Sequence, residues 1–111
     1  MARIPNLGEL EQLILLAILR LGDDAYGVTI RAELGERAGR AIAPGALYTA
    51  LERLETKGLV TSRLGDPTPQ RGGRAKRYVR VTSAGLQALR RAVRAYERML
   101  EGFGHFRGAH G

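Results

Sequence analysis

The chain has 111 residues, of which 44% are hydrophobic, so it is long enough for one small folded domain and too apolar to be disordered throughout. It contains no cysteine, which excludes disulfides and thiolate metal sites and fits a reducing compartment. The net charge of +7 is unevenly distributed: residues 1–55 carry six basic and eight acidic residues, whereas residues 56–111 carry twelve basic and three acidic residues. This distribution favours a polyanionic partner for the C-terminal half.

The N-terminal region does not show the pattern of a signal peptide, because no apolar stretch precedes a small-residue cleavage site. The longest apolar run, residues 13–19, is far shorter than the roughly 20 residues that a membrane-spanning helix needs. We therefore expect a cytoplasmic protein without a membrane partner.

The first predicted helix covers residues 7–21, with Asn6 as its cap, because an asparagine side chain can accept an unpaired backbone N–H. Its apolar residues lie on more than one helical face: Leu10, Leu13, Ile14, Leu16, Ala17, Ile18, Leu19 and Leu21. A helix that is apolar on nearly all sides is buried on nearly all sides. Two arrangements stay open, since the second side can pack against a second subunit or against the rest of the same chain.

A second helix is predicted over residues 25–38, capped by Asp24 at the end of a Gly-Asp-Asp turn. Tyr26, Ile30 and Leu34 recur every four residues and predict one buried stripe. Residues 39–43 are expected to be extended and to add a short strand to the sheet that follows in the chain.

The third predicted helix covers residues 44–57. Pro44 fits the first helical position, where its missing N–H costs nothing, and Gly58 ends the helix. The apolar stripe of this helix consists of Leu47, Leu51 and Leu54. The opposite side carries small or polar residues, and a short helix of this kind has the right size for a DNA major groove.

Two strands are predicted after this helix, over residues 59–63 and 77–82, and an arginine-rich loop joins them. A short helix followed at once by a basic hairpin is the layout of a winged helix-turn-helix. The expected fold class is therefore mostly α with a small β-sheet (α+β). Residues 1–82 are predicted to form this DNA-binding domain.

The last helix is predicted over residues 83–102, with Thr82 as its cap. Its apolar residues are spaced alternately three and four apart: Leu86, Leu89, Val93, Tyr96, Leu100 and Phe103. This heptad spacing is typical of the seam between paired helices. We expect residues 83–104 to form a dimerisation helix and residues 105–111 to form a flexible tail.

The residues expected to bind DNA lie on the third helix and in the hairpin after it: Gly45, Ala46, Tyr48, Thr49 and Arg53, then Arg71, Arg74, Lys76 and Arg77. Small side chains near the start of a helix let it approach phosphates or thymine methyl groups closely. Basic side chains on a hairpin follow the phosphate backbone and supply affinity. The open alternatives are that Tyr48 is half-buried against the hairpin and that the basic residues are only solvated surface charges.

Several short motifs support a resemblance to one family. They are Ala-Tyr-Gly at residues 25–27, Pro-Gly-Ala-Leu-Tyr at 44–48, Leu-Glu-Arg-Leu-Glu at 51–55 with Gly-Leu-Val at 58–60, Gly-Arg at 73–74 with Arg-Tyr at 77–78, and Thr-Ser-Ala-Gly at 82–85. Over about residues 9–100, the chain resembles the PadR family of transcriptional regulators, and it is similar to the short subgroup with a single C-terminal helix. The motifs are specific because several occur in the right order.

The resemblance implies a winged-helix homodimer that represses promoters, with the C-terminal and N-terminal helices at the subunit interface. Some members of the subgroup bind drugs or other small molecules at the dimer centre. This chain departs from the family in two places. Ala43 stands where a serine or threonine cap is frequent, and tryptophan, which some drug-binding members use to stack ligands, is absent.

The expected dimer interface, or a ligand pocket at its centre, consists of Leu10, Ile14, Leu89, Val93, Tyr96, Leu100 and Phe103. Two copies of Tyr96 near a two-fold axis, with apolar side chains around them, would form a slot for a small hydrophobic or aromatic effector. The alternative is that Tyr96 fills a closed interface.

The sequence offers no support for an enzyme, because its two histidines, His105 and His110, lie in the glycine-rich tail and no phosphate-loop motif occurs. We expect no cofactor and no metal. The favoured function is a sequence-specific, ligand-responsive repressor that binds a palindromic operator in double-stranded DNA as a homodimer. Two alternatives stay open: a winged-helix protein-interaction module and a non-specific architectural binder of nucleic acid.

Overall fold

The structure is a computed structural model, and it describes residues 7–65 and 75–104. These residues form four α-helices, one 3₁₀ turn and a two-stranded antiparallel sheet. In chain order, the elements are α1 (Glu9–Leu21), the 3₁₀ turn (Gly22–Asp24), α2 (Gly27–Ala38), α3 (Pro44–Thr56), β1 (Val60–Leu64), β2 (Arg77–Val81) and α4 (Ser83–Leu100). This is the order of a winged helix-turn-helix followed by one more helix, so the predicted fold class is confirmed.

Helix α1 lies at the centre of the core. Ile14 and Leu15 are fully buried and Ile18 is nearly so, because α2, β2 and α4 all pack against this helix. Leu16 and Leu19 on another side of α1 are 40% and 46% exposed. The chain therefore covers one side of α1 itself and leaves a second apolar side exposed.

The start of α1 is tied to the end of α3 through Glu11. The Glu11 carboxylate accepts a hydrogen bond from the Gly8 N–H (2.9 Å) and another from Lys57 Nζ (2.9 Å). Burial of Glu11 opposes its ionisation, but the bonds from Lys57 and Gly8 outweigh this effect, so the pKa of Glu11 lies below its usual value. The predicted cap Asn6 lies outside the residues that the structure describes.

Helix α2 begins later than predicted, at Gly27, and the prediction that Asp24 caps it is wrong. The Thr29 hydroxyl holds the start of α2 instead. It accepts a hydrogen bond from the Tyr26 N–H (3.0 Å) and donates one to the Asp24 carbonyl oxygen (2.6 Å). Asp24 thus contributes its backbone rather than its side chain to the start of α2.

The sheet pairs β1 with β2, with Ser62 opposite Val79. We call this hairpin the wing. On the other edge of β2, the Val79 N–H donates to the Ala25 carbonyl oxygen (2.9 Å), so the stretch before α2 lies beside the wing. The expectation that residues 39–43 add a strand is wrong, since they form no strand. The residue that lies beside β2 is Ala25 instead.

A compact junction joins α3, the wing and α4. Gly58 ends α3 with a left-handed backbone (φ 77°), and the carbonyl oxygen of the buried Leu59 accepts a hydrogen bond from the Thr82 N–H (3.0 Å). Thr82 Oγ1 donates to the Gly58 carbonyl oxygen (2.7 Å) and accepts from the Gly85 N–H (3.0 Å). The predicted cap Thr82 is therefore confirmed, and it fastens α4 to the end of α3.

Replacing Gly85 by alanine should lower the free energy of unfolding by about 1–3 kcal/mol, because the added methyl group would collide with the Leu59 carbonyl oxygen. Gly35→Ala in α2 is the matched control, since open space surrounds Gly35. That change should raise the free energy of unfolding by about 0.5–1 kcal/mol. Urea denaturation measures both, and a stabilising effect of Gly85→Ala would contradict the close packing.

Replacing Glu11 by glutamine should destabilise the protein at pH 7 by about 1–3 kcal/mol, since Lys57 loses its charged partner. Because the folded-state pKa of Glu11 is lowered, this contribution is present above the unfolded-state pKa near 4.5 and disappears as the pH falls through the folded-state pKa. The stabilities of parent and variant should therefore converge at low pH. Glu9→Gln, which removes an exposed pair with Arg40, should cost less than about 1 kcal/mol at any pH.

Candidate DNA-binding surface

Helix α3 turns one side to the core and the other to solvent. Its buried side consists of Leu47, Ala50 and Leu54. All five residues of this helix that are predicted to contact DNA are exposed: Gly45, Ala46, Tyr48, Thr49 and Arg53. Most of these side chains near the start of the helix are small, so the backbone of α3 can approach another molecule closely.

The turn before α3 is held by Arg31 of α2, whose Nε–H donates to the carbonyl oxygen of Ile42 (2.8 Å). Ala43 then has an extended backbone (φ −70°, ψ 150°), and Pro44 begins the helix. The Ala43 side chain makes no capping hydrogen bond. The first backbone N–H groups of α3 therefore receive no side-chain cap from this residue and are available to an acceptor such as a phosphate.

A cleft of about 410 Å³ opens between the N-terminal parts of α2 and α3. Two arginines line it, Arg31 from α2 and Arg77 from the start of β2, together with Tyr48. The remaining lining residues are Gly27, Val28, Pro44, Leu47 and Leu51. Tyr48 is 56% exposed, and it shares this cleft with Arg77 of the wing. The cleft thus brings two cations and a hydroxyl beside the exposed side of α3.

The position of Arg77 depends on a chain of hydrogen bonds between α3 and the wing. Arg77 Nη1 donates to Ser62 Oγ (3.1 Å), and Ser62 Oγ donates to Glu55 Oε2 (3.1 Å). The hydroxyl therefore uses both its acceptor and its donor capacity. We call this arrangement the Glu55–Ser62–Arg77 chain. It directs one cation of the wing toward α3, and no local pattern of residues predicts it.

Lys76 has different neighbours from Arg77, although both are predicted to contact DNA. Lys76 Nζ lies over the ring of Tyr26 (4.6 Å to the centroid), and a hydrogen bond to Tyr26 is the main cause that raises the pKa of Lys76. Tyr26 makes an edge contact with Tyr78 (5.5 Å between centroids), and Arg63 lies over Tyr78 (4.9 Å). Two tyrosines in edge contact thus lie between two cations, Lys76 at one end and Arg63 at the other.

Two further predicted contacts, Arg71 and Arg74, lie outside the residues that the structure describes. The described part of the wing remains basic without them. Arg63, Lys76, Arg77 and Arg80 are all exposed, and Arg80 pairs with Asp23 at the surface (3.3 Å).

Two of the residues predicted to line a dimer interface or ligand pocket belong to the core of the chain itself. Ile14 is fully buried and Leu89 is 4% exposed, because α1 and α4 pack against each other at this point. In the single chain these two side chains are covered by the core, so they lie beneath the surface that a partner would contact. The other five keep accessible surface: Leu10 and Leu100 are half-buried, and Val93, Tyr96 and Phe103 are exposed.

Helix α4 extends well beyond the core. Leu89 is its last buried residue, and the helix continues to Leu100, a further distance of about 16 Å. Its exposed apolar residues include Tyr96 and Met99. An amphipathic helix with such an exposed apolar side is suited to contact another molecule.

In residues 7–65 and 75–104, no group of three or more histidine, cysteine, aspartate or glutamate side chains is placed to hold a metal ion. The same residues contain no helix that is both long and apolar enough to span a membrane. His105 and His110 lie outside this part of the chain.

Known proteins are similar to this chain in both sequence and fold. Residues 15–91 match the transcriptional regulator PadR-like family. The transcriptional regulator Rv3488 of Mycobacterium tuberculosis is 39% identical over 79 residues, which is 69% of this chain and 67% of that protein.

Two solved structures extend the likeness. A PadR-like transcription factor from Bacteroides fragilis has a TM-score of 0.69 and 26% identity, over 87% of this chain and 88% of that one. Bacillus subtilis PadR in complex with operator DNA has a TM-score of 0.63 and 26% identity, over 77% of this chain and 46% of that one. Since the family match covers more than half of the chain, the protein belongs to the PadR-like family, whose members are transcriptional regulators with a DNA-binding winged helix and not enzymes.

Proposed function

We propose that the protein represses transcription by binding a palindromic operator as a homodimer, and that a small ligand regulates this binding. The observation that carries the proposal is the exposed side of α3, with its small residues, beside the arginine-lined cleft. A helix of this kind reads base edges, and neighbouring cations hold the duplex in place.

The base contacts are assigned to the start of α3. Gly45 lets the helix approach the DNA, and the methyl groups of Ala46 and Thr49 fit the methyl group of thymine. The Thr49 hydroxyl can also donate to or accept from a base edge. Arg53, one turn later, is long enough to reach a phosphate or a base.

The phosphate contacts are assigned to Arg31, Tyr48 and Arg77, because all three line the same cleft. Contacts of this kind set the register and orientation of a protein on the duplex and carry no direct sequence information. Support comes from Bacillus subtilis PadR, a structural neighbour that was solved with operator DNA.

The homodimer is assigned to α4 and α1. Val93, Tyr96 and Phe103 are exposed on or just after α4, and Leu16 and Leu19 are exposed on α1. A second copy would remove this apolar surface from water. Two-fold symmetry would then present two α3 helices about 34 Å apart, or a multiple of it, as two half-sites of a palindrome require.

Ligand control follows from the same arrangement. A ligand that changes the packing of α1 against α4 changes the separation of the two α3 helices. Such a ligand can weaken DNA binding only as far as its affinity for the dimer with the changed separation exceeds its affinity for the DNA-binding dimer.

Selection of bound fragments from random double-stranded DNA tests the proposal. We expect a palindrome, bound at least about a thousandfold more tightly than random DNA at physiological salt, and reduced transcription in vitro from a promoter that contains it. An architectural binder would enrich no common sequence, and a protein-interaction module would enrich no DNA. Either result would overturn the proposal.

Replacing Thr49 by leucine should weaken binding to the selected operator more than binding to random DNA. A bulky side chain at this position keeps α3 away from the base edges, and the discrimination lost should be about 1–3 kcal/mol. Fluorescence anisotropy with both DNAs measures it. Thr56→Leu, the same change at the far end of α3, should leave discrimination unchanged, and equal losses on both DNAs for Thr49→Leu would reassign Thr49 to phosphate contact or folding.

Replacing Ser62 by alanine should weaken binding to operator and random DNA alike, although Ser62 itself is not assigned to the DNA. Arg77 loses the hydroxyl that holds it, and ordering a free side chain on binding costs about 0.5–1.5 kcal/mol. Anisotropy titrations should therefore show a loss of that size. In an Arg77→Ala background, Ser62→Ala should have no further effect.

Thr61→Ala is the matched control, since Thr61 is the neighbouring residue of β1 and is exposed. It should bind DNA like the parent protein. A loss for Ser62→Ala that persists without Arg77 would show that the hydroxyl acts through folding or another contact.

A further inference from the structure

Two consecutive cations at the loop end of the wing lie on opposite faces of it. The Lys76 carbonyl oxygen accepts a hydrogen bond from the Gly65 N–H (2.7 Å), which continues the pairing of β1 with β2 by one more residue. Side chains alternate between the two faces of such a paired segment. Arg77 accordingly lies on the side of α3, where it is bound to Ser62, and Lys76 lies on the other face, over Tyr26. The two cations can therefore contact different phosphates of a duplex.

Lys76 differs from Arg77 in how its side chain is held. Arg77 is anchored by the Ser62 hydroxyl, which is itself bound to Glu55. Lys76, by contrast, takes part in none of the ion pairs found within the described residues. The flexible four-carbon chain of a lysine must be ordered when its ammonium group binds a phosphate, and this ordering weakens binding. A lysine that is already held before DNA arrives avoids the loss.

The ring of Tyr26 lies directly beside the Lys76 ammonium group. Lys76 Nζ is 4.6 Å from the centre of this ring, within the range at which the face of an aromatic ring attracts a cation. A hydrogen bond to Tyr26 is also the main cause that raises the pKa of Lys76, so the charged form is favoured. A lysine ammonium group has three N–H donors, so one hydrogen bond to Tyr26 leaves others for a phosphate oxygen.

Tyr26 is in turn held by Tyr78. The two rings meet edge to face, with 5.5 Å between their centres and 68° between their planes, an arrangement that aromatic pairs favour. Tyr78 packs against Gly65, where an added Cβ atom would lie 2.7 Å from Cε2 of the ring, and Arg63 lies over it (4.9 Å). Both tyrosines are half-buried. The ring beside Lys76 therefore has little freedom to move.

We propose that Tyr26 is a positioning residue for DNA binding: supported by Tyr78, it holds the Lys76 ammonium group in place for a phosphate of the operator backbone. The inference rests on the function proposed above. Tyr26 acts through Lys76 and needs no contact of its own with the duplex. With Arg77 on the other face, Lys76 fixes the loop end of the wing on the DNA at two points.

Nuclear magnetic resonance tests the contact between Lys76 and Tyr26 without DNA. The chain has two lysines, Lys57 and Lys76, so isotope labelling of lysine gives two sets of side-chain signals, and Lys76→Gln identifies which is which. The face of an aromatic ring shifts nearby protons upfield. The Lys76 Cε protons should therefore lie upfield of those of Lys57, which pairs with Glu11 and is the internal control. Coincident signals in the parent protein would overturn the proposal.

Fluorescence anisotropy with the selected operator tests the effect on binding. Tyr26→Leu should weaken binding about two- to tenfold, the cost of ordering one free side chain. Tyr26→Phe should lose less, because a ring remains beside the ammonium group. Random DNA should show the same losses, since a phosphate contact carries no direct sequence information. A Tyr26→Leu protein that binds the operator like the parent would overturn the proposal.

Combined variants separate a role through Lys76 from a role in folding. Lys76→Gln should reduce the slope of log affinity against log salt by about 0.9, whereas Arg37→Gln, at an exposed position of α2, should leave it unchanged. In the Lys76→Gln background, Tyr26→Leu should have no further effect. A loss that persists there would show that Tyr26 contacts DNA itself or acts through folding, and would overturn the proposal. If Tyr26→Leu does not fold, Tyr26→Phe in both backgrounds and the lysine signals of the parent decide.

Operator binding by the parent protein separates this inference from the proposed function. A parent protein that binds no DNA would refute the function and the phosphate contact with it, even if the Lys76 signals are shifted. A parent protein that binds the operator, while Tyr26→Leu costs nothing, would refute the inference alone.

Discussion

Gly85 lies so close to the carbonyl oxygen of Leu59 that no larger residue fits between α4 and the end of α3. A glycine at this position lets the first turn of α4 lie directly on the segment that joins α3 to β1. Thr82 adds hydrogen bonds to Gly58 and Leu59 across the same junction. The direction of α4 is consequently tied to the direction of α3, and one cannot turn freely relative to the other.

This coupling matters because the two helices have different surfaces. Helix α3 presents small side chains next to Arg31 and Arg77, which suits close contact with a duplex. Helix α4 presents exposed apolar residues such as Tyr96, which suits contact with a second copy. A rigid junction between them would let an event at α4 alter the placement of α3, which is what a regulated DNA-binding protein needs.

Much of the fold could be predicted because single residues mark where several of the helices begin and end. Pro44 and Gly58 mark the ends of α3, and Thr82 marks the start of α4. The start of α2 could not be predicted in this way, because Asp24 is a better cap than Tyr26 by residue type. The Thr29 hydroxyl, inside the helix, instead bonds the Tyr26 N–H and the Asp24 carbonyl oxygen.

The sites were harder to predict, because spacing identifies a side of a helix without identifying what covers it. Leu89 belongs to the heptad pattern, yet the chain itself buries it. Contacts between distant residues leave no local signal either. Ser62 meets Glu55 and Arg77 only because β1 and β2 fold back beside α3 in one register.

We propose that a dimer built through α4 holds two recognition helices at a defined separation. Because the chain has no cysteine, Thr56→Cys provides a single spin-label position per subunit at the exposed end of α3. Pulsed electron paramagnetic resonance on the selected operator should give one narrow distance distribution between the two labels. A protein that binds the operator without any measurable coupling between labels, or with a broad distribution lacking a peak, would show that no such dimer fixes the two helices.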